Sequence, residues 1–287
     1  MQALVITAYQ NQELLEKNLI LFSKYFRCYV HVDRKSELNN PAFLEKLNSM
    51  HNVTVISRYK INWGSYLHMM AILDLLKMAV QEKEITRVHI ISGEDFPVRS
   101  FEEFEKFFEV EHRLENFIEC TDIRNMPKIK LRYEKFHFLH ILNRKSRNLL
   151  VQLFDKGIRR IQYQIPLKRK TRFDYKGLVW SSLSIEAVYE IIRYLTPERV
   201  RVLKYCEIAE EFMVQNALMS SELKDTVVMD KKRYDDWNGC LTGPKVLGIQ
   251  DYKKIKASTA FFARKIQDDK NNQPASELYH RLYEEFV

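Results

Sequence analysis

The chain has 287 residues, 46% of them hydrophobic, which is enough for a sizeable core. Lys and Arg outnumber Asp and Glu by 46 to 38, and the formal net charge of +8 favours an anionic partner. No apolar stretch approaches the roughly 18 residues of a membrane span, and the apolar start is too short for a secretory signal. We therefore expect a cytoplasmic protein, and the four cysteines, which match no metal or redox spacing, predict reduced thiols.

Short apolar runs alternate with helical patterns through the first part of the chain. The apolar runs predict buried strands over 3–8, 28–32, 53–57 and 88–92. Apolar residues at helical spacing predict helices over 13–24, 41–50, 67–80 and 101–108. This order predicts an α/β fold of Rossmann-like type, with a mostly parallel central sheet and helices on both faces.

The second part of the chain is less regular. It predicts strands over 116–121, 176–184 and 226–229, and helices over 185–194 and 210–220. No repeat or linker divides the chain, so we expect one domain, 1–287, with an elaborated C-terminal half. Within it we distinguish a nucleotide-binding half (1–125), a basic amphipathic insertion (126–175) and an acceptor and catalytic half (176–287).

The segment 128–172 concentrates Lys and Arg. Apolar residues recur at helical spacing among these charges, namely Leu149, Leu150, Leu153, Phe154, Ile158 and Ile161. Such a basic amphipathic helix either lies on an anionic membrane surface or packs its apolar face on the core, and the pattern leaves both interpretations open. A nucleic-acid-binding module is a weaker alternative, because the segment lacks any zinc-finger or RNP signature.

Polar clusters follow the second and fourth predicted strands. Asp33 comes after the second strand, and Glu94 and Asp95 lie in a Ser-Gly-Glu-Asp-Phe-Pro turn after the fourth. Ligand sites of open α/β sheets form at the carboxyl ends of the strands, so these carboxylates are candidate ligand-binding groups. Asp33 suits a ribose or base, whereas Asp95 either accepts a hydrogen bond from a hydroxyl-rich ligand or caps its turn.

An aromatic side chain precedes the third predicted helix. Trp63 lies in the sequence Asn-Trp-Gly-Ser, where its ring either stacks on a base or sugar or belongs to the core. Later in the chain, Glu210 and Glu211 are adjacent acids at a helix start, which the helix dipole alone would favour. Adjacent helical residues point about 100° apart, so this pair is a poor candidate for the two flanking carboxylates of a glycoside hydrolase.

Near the C-terminal end, Arg264 and Lys265 follow an aromatic run. Paired cations of this kind either form a solvated face or neutralise a diphosphate leaving group, which is the work of a divalent metal in many sugar transferases. The chain contains no Asp-x-Asp sequence, the acidic signature with which many nucleotide-sugar enzymes hold that metal. We therefore expect no metal cofactor.

Taken in order, seven segments resemble those of the core-2/I-branching N-acetylglucosaminyltransferases, glycosyltransferase family 14, which also includes peptide O-xylosyltransferases. The segments are 31–36, 62–65, 92–97, 179–184, 210–211, 233–237 and 262–265. Each match alone is weak, but seven in order are specific. The chain departs from the family at Tyr9, where the family often has a histidine shortly after the first strand.

The resemblance implies a GT-A-like fold that transfers a sugar from a UDP-sugar with inversion and without a metal ion. It implies that Glu211 is the catalytic base. It assigns the donor nucleotide and diphosphate to Asp33, Trp63, Arg264 and Lys265, with either Lys245 or Arg233 as a second phosphate-binding cation. It assigns the sugar or acceptor to Glu94, Asp95, Trp180 and Trp237.

UDP-N-acetylglucosamine is the donor that the resemblance favours, and UDP-xylose is the second choice. The acceptor would be a glycan hydroxyl, and a lipid-linked precursor of a bacterial surface polysaccharide at the inner face of the cell membrane fits the absence of an anchor. We expect no nucleic acid partner. A glycoside hydrolase and a basic nucleic-acid-binding module remain the alternatives from other functional classes.

Overall fold

The computed structural model describes residues 1–146, 148–165, 169–239 and 243–287. The basic residues Arg147 and Lys168, and the thiol predicted for Cys240, lie outside the described residues. The three described cysteines are unpaired.

The strands are short except at the centre of the main sheet. They are β1 (Gln2–Ala8), β2 (Arg27–Val32), β3 (Val53–Ile56), β4 (Arg87–Ser92), β5 (Phe96–Pro97), β6 (Asn116–Phe117), β7 (Thr121–Asp122), β8 (Tyr175–Lys176), β9 (Ser181–Ser184), β10 (Val227–Val228), β11 (Arg233–Asp235) and β12 (Phe262–Arg264).

The α-helices are α1 (Gln12–Phe22), α2 (Pro41–Asn48), α3 (Tyr66–Ala79), α4 (Phe101–Glu105), α5 (Pro127–Glu134), α6 (Leu149–Gln164), α7 (Ile185–Tyr194), α8 (Pro197–Leu203), α9 (Met213–Met219), α10 (Tyr252–Ala257) and α11 (Gln273–Tyr283). A π-helical turn, Lys106–Glu111, continues α4, and 3-10 turns span Ala209–Phe212, Glu222–Thr226 and Ile249–Asp251.

The central sheet has the strand order β10-β6-β9-β4-β1-β2-β3 among the described residues. The pairs β1–β2, β2–β3 and β1–β4 are parallel, while β9 runs antiparallel between β4 and β6. The order 3-2-1-4 of the first four strands is that of a Rossmann-like half. The predicted α/β class with a mostly parallel sheet is therefore confirmed.

The core lies on both faces of this sheet because the strands alternate their side chains. From β1, Leu4 and Ile6 enter one apolar cluster with α1, α2 and α11, whereas Ala3 and Val5 enter the other with α3, α7 and α9. A strand buried on both faces is an apolar run without polar alternation, which is how the sequence of β1 reads. The predicted helices on both faces are confirmed.

A small second sheet positions the C-terminal part of the chain beside the main sheet. Its order is β11-β12-β5, with β12 parallel to β11 and antiparallel to β5. Since β5 directly follows the turn after β4, this pairing brings Arg264 and Lys265 to the carboxyl edge of the main sheet. The two-residue β5 and the three-residue β11 and β12 carry too little pattern to be predicted from sequence.

The long helix of the basic insertion is α6, as predicted, but its apolar face does not pack on the core. Leu150 is 75% exposed, and the other apolar residues of that face are mostly exposed as well. The core-packing interpretation of this helix is therefore wrong. Among the helices in the described part of the chain, none combines the length and apolar character needed to cross a bilayer.

Candidate active site

Strand ends gather several of the predicted residues at one edge of the sheet. Thr7 lies at the end of β1, paired with Ser92 of β4 and His31 of β2. The Asp33 N–H donates to the Ala8 carbonyl at 2.9 Å, so the turn that follows β2 crosses the end of β1. This is the carboxyl edge, where open α/β sheets bind ligands.

Asp33 is buried and organises the loop that carries Trp63. Its Oδ1 accepts hydrogen bonds from the N–H groups of Lys35 and Ile61, each at 3.1 Å. Trp63 remains 39% exposed, with the Lys145 ammonium 4.5 Å from its ring centroid. The structure thus brings both predicted nucleotide contacts together, with a cation beside the exposed ring.

Gly64 shapes the same loop. Its φ of +75° lies in the left-handed region, and an added Cβ would lie 3.3 Å from Leu139 and 3.4 Å from Ile208. Its carbonyl accepts a hydrogen bond from the Ile208 N–H at 2.8 Å. The glycine therefore lets the Trp63 loop touch the segment that leads into the two acids, Glu210 and Glu211.

Glu94 and Lys265 form a second group at this edge. The Lys265 Nζ lies 3.5 Å from the Glu94 Oε2. The Glu94 Oε1 accepts hydrogen bonds from Gln10 at 2.9 Å and from Gln267. The Lys265 ammonium, predicted to contact the diphosphate, is thus paired with a carboxylate at this edge.

Asp95 holds the turn from inside. Its side chain is wholly enclosed, and its Oδ2 accepts hydrogen bonds from the Ser92 backbone N–H at 2.8 Å and from the Ser92 hydroxyl. The Arg264 Nη1 lies 4.0 Å from the same oxygen. The enclosed carboxylate supports the turn and lies beside Arg264, and its assignment to sugar contact stays a prediction.

A line of contacts leads from Arg264 to Glu210. The Arg264 guanidinium lies 4.3 Å from the ring centroid of Trp180, and the Trp180 and His68 rings are 6.0 Å apart. The His68 Nδ1 is 2.9 Å from the Glu210 Oε1, and its Nε2 is 3.1 Å from the Thr7 hydroxyl. These contacts connect Arg264, the cation predicted for the donor, with Glu210 of the acidic pair.

Buried polar atoms without a partner cluster in this site. Among the described residues they include the Glu210 Oε2, the Asp95 Oδ1, and the Nε and Nη1 of Arg264. Native proteins leave few buried polar atoms unpaired, because each costs free energy. Three side chains share this feature within one network, so buried polar atoms without a protein partner are concentrated here.

Glu211 faces away from Glu210. The two belong to the 3-10 turn Ala209–Phe212, and the Glu211 Oε2 lies 2.8 Å from the Arg132 Nη1 and 3.0 Å from the Lys176 Nζ. The Glu211 Oε1 has no hydrogen-bond partner in the described part of the chain. The carboxylate is thus oriented by two cations through one oxygen and presents the other, while its catalytic role stays a prediction.

A glycine beside Glu211 fixes the backbone there. A Cβ on Gly177 would lie 1.8 Å from the Glu119 carbonyl oxygen, so no other residue fits without moving the chain. The Gly177 N–H donates to the Glu211 carbonyl at 3.1 Å. This close approach places Lys176 against the Glu211 carboxylate.

Lys245 and Trp237 lie near the same edge through the small sheet. The Lys245 carbonyl accepts a hydrogen bond from the Lys265 N–H, and its ammonium lies 2.9 Å from Asp236 and 3.2 Å from Asp251. Hydrogen bonds to these two carboxylates, Asp236 first, raise the Lys245 pKa above its usual value. Trp237 is 41% exposed and donates its indole N–H to the Asp235 carboxylate. Asp235 lies opposite Arg264 in the register of β11 and β12.

Arg233 is held by contacts within the protein, and its assignment as a phosphate ligand stays a prediction. The guanidinium is buried, and it donates to the Ser182 hydroxyl at 2.9 Å and to the carbonyls of Lys231 and Ser181, each at 2.7 Å. Desolvation by burial lowers its pKa to about 9. The side chain joins the small sheet to β9.

Sequence reasoning missed Arg132, Lys176 and His68. Arg132 and Lys176 lie 79 and 35 positions before Glu211 in the chain. Arg132 is one of many cations in the basic insertion and Lys176 follows directly after it, and nothing local marked either residue. His68 lies in the first turn of α3, where its position facing the sheet edge followed only from the fold. Within the described residues, no group of three or more His, Cys, Asp or Glu side chains is placed to hold a metal ion.

Three comparisons relate the chain to known proteins. No curated protein sequence matches the chain significantly. A similar solved structure is TarS 1–349 of S. aureus, with a TM-score of 0.31 and 14% sequence identity over 78% of this chain and 74% of that chain. The family model described as "Core-2/I-Branching enzyme" matches residues 3–257. Because that match spans most of its length, the chain belongs to the core-2/I-branching enzymes and is a glycosyltransferase.

Proposed function

We propose that this glycosyltransferase moves a sugar from a UDP-sugar to a glycan hydroxyl, with inversion and without a metal ion. N-acetylglucosamine is the favoured sugar and xylose the second choice, with a lipid-linked precursor of a bacterial surface polysaccharide as the favoured acceptor. The cluster of unpaired buried polar atoms on Arg264, Asp95 and Glu210 carries the proposal.

The donor side of the site uses charge and one aromatic ring. Asp33 and Trp63 border the nucleoside, and the diphosphate lies against Lys265 and Arg264, with Lys245 adjacent. As the bond to the sugar breaks, negative charge grows on the departing phosphate oxygen, and cations already in place stabilise it more than they stabilise the ground state. This arrangement supplies without a metal what a bound divalent ion supplies elsewhere.

The acceptor side needs a base, because a sugar hydroxyl has a pKa far above 7. The hydroxyl oxygen attacks the anomeric carbon as the bond to UDP breaks, and its proton passes to Glu211. Arg132 and Lys176 hold that carboxylate through Oε2, which leaves Oε1 as the proton acceptor. Glu94, Trp180 and Trp237 border the space between base and diphosphate and are the groups proposed to contact the sugars.

A thermal-shift screen tests the donor class. The full chain is heated with UDP-GlcNAc, UDP-xylose, UDP-galactose and UDP-glucose in EDTA, with GDP-mannose as the matched control. We expect UDP-sugars to raise Tm and GDP-mannose to leave it unchanged, since a ligand that binds only the folded state stabilises it. A shift that appears only with Mn²⁺, or sugar release without any nucleotide donor, would refute the proposal.

A further inference from the structure

Helix α6 is attached to the rest of the chain by its polar side. Its buried residue is Asp155, whose carboxylate lies 3.2 Å from the Arg144 Nε and 3.0 Å from the Arg159 Nη2. About two turns further on, the Gln162 side chain accepts a hydrogen bond from the Phe136 N–H at 2.8 Å and donates one to the Phe136 carbonyl at 2.9 Å. The usual arrangement of a surface helix, apolar side inward, is reversed here.

The apolar side of α6 faces solvent. A groove of about 610 Å³ runs along it, lined by Leu142, Leu150, Leu153, Phe154, Ile158 and Ile161. Leu153 is 62% and Phe154 61% exposed, and no other described element covers them. Contiguous exposed apolar surface of this kind marks an interaction site in a soluble protein.

The positive charge beside the groove favours an anionic partner. At 100° per residue, Lys156 and Arg160 fall on the flank of the apolar stripe, and both are exposed. A second copy of the chain would bring the same cations and a net charge of +8 against each other. An anionic bilayer instead offers phosphates to the cations and acyl chains to the apolar side chains.

We propose that α6 is a docking surface for an anionic lipid bilayer. Leu150, Leu153 and Phe154 enter the boundary between headgroups and acyl chains, and Lys156 and Arg160 stay at the level of the lipid phosphates. This inference goes beyond sugar transfer, because lipid binding is measured with neither donor nor acceptor present. Its failure is thus separable from failure of the proposed function.

Co-sedimentation of the full chain with vesicles tests the surface. One set of vesicles is pure phosphatidylcholine, and the other also contains phosphatidylglycerol. We expect binding to the anionic set at about 150 mM salt, falling as salt rises, because screening weakens the attraction of cations to the headgroups. Equal binding to both sets, or none, would overturn the proposal.

Two pairs of variants assign the binding to α6. The double variant Leu153→Ser/Phe154→Ser should lower the partition coefficient at least about tenfold, since each apolar side chain contributes more than 1 kcal/mol when buried. The matched control, Val110→Ser/Leu114→Ser, changes two residues that are 74% and 66% exposed elsewhere and should leave it unchanged. An equal loss in the control would overturn the assignment.

A second double variant, Lys156→Gln/Arg160→Gln, removes two positive charges from α6. Its control is Lys24→Gln/Lys83→Gln, which removes the same charge from exposed positions elsewhere. We expect a partition coefficient lowered about tenfold or more for the first pair and changed little for the second. Circular dichroism melts confirm that each variant is folded. A concentration-dependent dimer that Leu153→Ser/Phe154→Ser abolishes, without vesicle binding, would overturn the proposal in favour of a second copy.

Discussion

Glu210 and Glu211 are neighbours with different surroundings. Glu210 meets His68 in the network that reaches Arg264, whereas Glu211 meets Arg132 and Lys176. The angular argument made from sequence, that adjacent residues cannot flank one bond, agrees with this divergence. The two acids therefore have separable roles, and conservative variants can distinguish them.

Glu211→Gln should lower kcat at least about a hundredfold while donor affinity stays unchanged, because the amide keeps the shape but cannot take a proton. Steady-state release of UDP in the presence of acceptor measures it. Glu210→Gln is the matched control, and we expect a smaller loss from it. Near-normal turnover of Glu211→Gln, or a greater loss from Glu210→Gln, would remove Glu211 from the role of base.

Lys265→Met should weaken UDP binding about tenfold to a hundredfold, the value of one charge-assisted hydrogen bond of roughly 1.5–3 kcal/mol. Titration calorimetry with UDP in EDTA measures the Kd. Lys254→Met, at an exposed position of α10, is the control. If UDP binds Lys265→Met as tightly as it binds the unchanged chain, the diphosphate lies elsewhere.

At the scale of elements, β2 and the loop after β3 meet through a histidine. The His31 Nε2 accepts hydrogen bonds from the N–H groups of Arg58 and Tyr59, each at 3.3 Å, so the ring must be neutral there. Burial, followed by the charge of His68, lowers the His31 pKa from 6.5 to about 4. The same loop continues to Ile61, which binds Asp33.

The free energy of unfolding should therefore decrease as the pH is lowered, over a range set by the folded and unfolded pKa values of this histidine. The unfolded chain takes up the proton below about pH 6.5 and the folded chain only near pH 4, so the contribution is full above 6.5 and is lost on acidification. We expect His31 to account for about 2 kcal/mol of the loss between pH 7.5 and 5. Urea unfolding at both values measures it.

His31→Gln should reduce that pH dependence, since the amide oxygen can accept from the same N–H groups without titrating. His51→Gln, at an exposed histidine, is the control and should not change it. An unchanged pH dependence in His31→Gln would show that other groups, such as buried His89, whose pKa burial also lowers, account for the acid loss.

The elements that the sequence predicted best carry a clear pattern, which is an apolar run in the central strands and helical spacing of apolar residues in α7. β1, β2 and β4 are each within one residue of prediction at either end, and α7 matches at both ends. The predicted strand 176–184 is instead two strands, β8 and β9, which belong to different sheets. Residues 177–180 separate them, and Gly177 approaches the Glu119 carbonyl, which is remote in the sequence. The predicted helix 210–220 begins as a 3-10 turn, which directs the two acids apart.

The position of a site residue could be predicted where it follows from the end of a strand, as for Asp33. The exposure of a cation could not be predicted from sequence. Arg233 is an example, because a Lys-Arg pair in the sequence does not reveal which of the two side chains is buried. Arg132 and Lys176 depended on packing between remote elements, α5 and β8, against the turn of Glu211. Spacing alone carries no such information.

At the scale of the molecule, the two halves share one sheet. β9 separates β4 from β6, and β12 carries Arg264 to the turn after β4. The division into a nucleotide-binding half, 1–125, and an acceptor half, 176–287, therefore stays a prediction about function. It does not mark two independent cores, because Phe262 and Leu278 enter the same apolar cluster as β1 and β2.

The fragment 1–125, expressed alone, should neither unfold cooperatively nor bind UDP. It leaves the β4 edge unpaired, exposes apolar side chains that later residues cover, and lacks Lys265. Circular dichroism during urea unfolding and calorimetry with UDP measure both properties, with the full chain as control. Cooperative unfolding of the fragment together with UDP binding would show that the nucleotide site needs only the first half.

The two attachments of the insertion that carries α6 have a thermodynamic consequence. Arg144 forms ion pairs with both Asp155 of α6 and Glu207, three residues before Glu210, and Lys145 covers the Trp63 ring. The insertion proposed to bind the bilayer therefore contacts both the Trp63 loop and the segment before the two acids. Linkage makes any effect mutual: whatever factor membrane occupancy applies to nucleotide affinity, the nucleotide applies to membrane affinity.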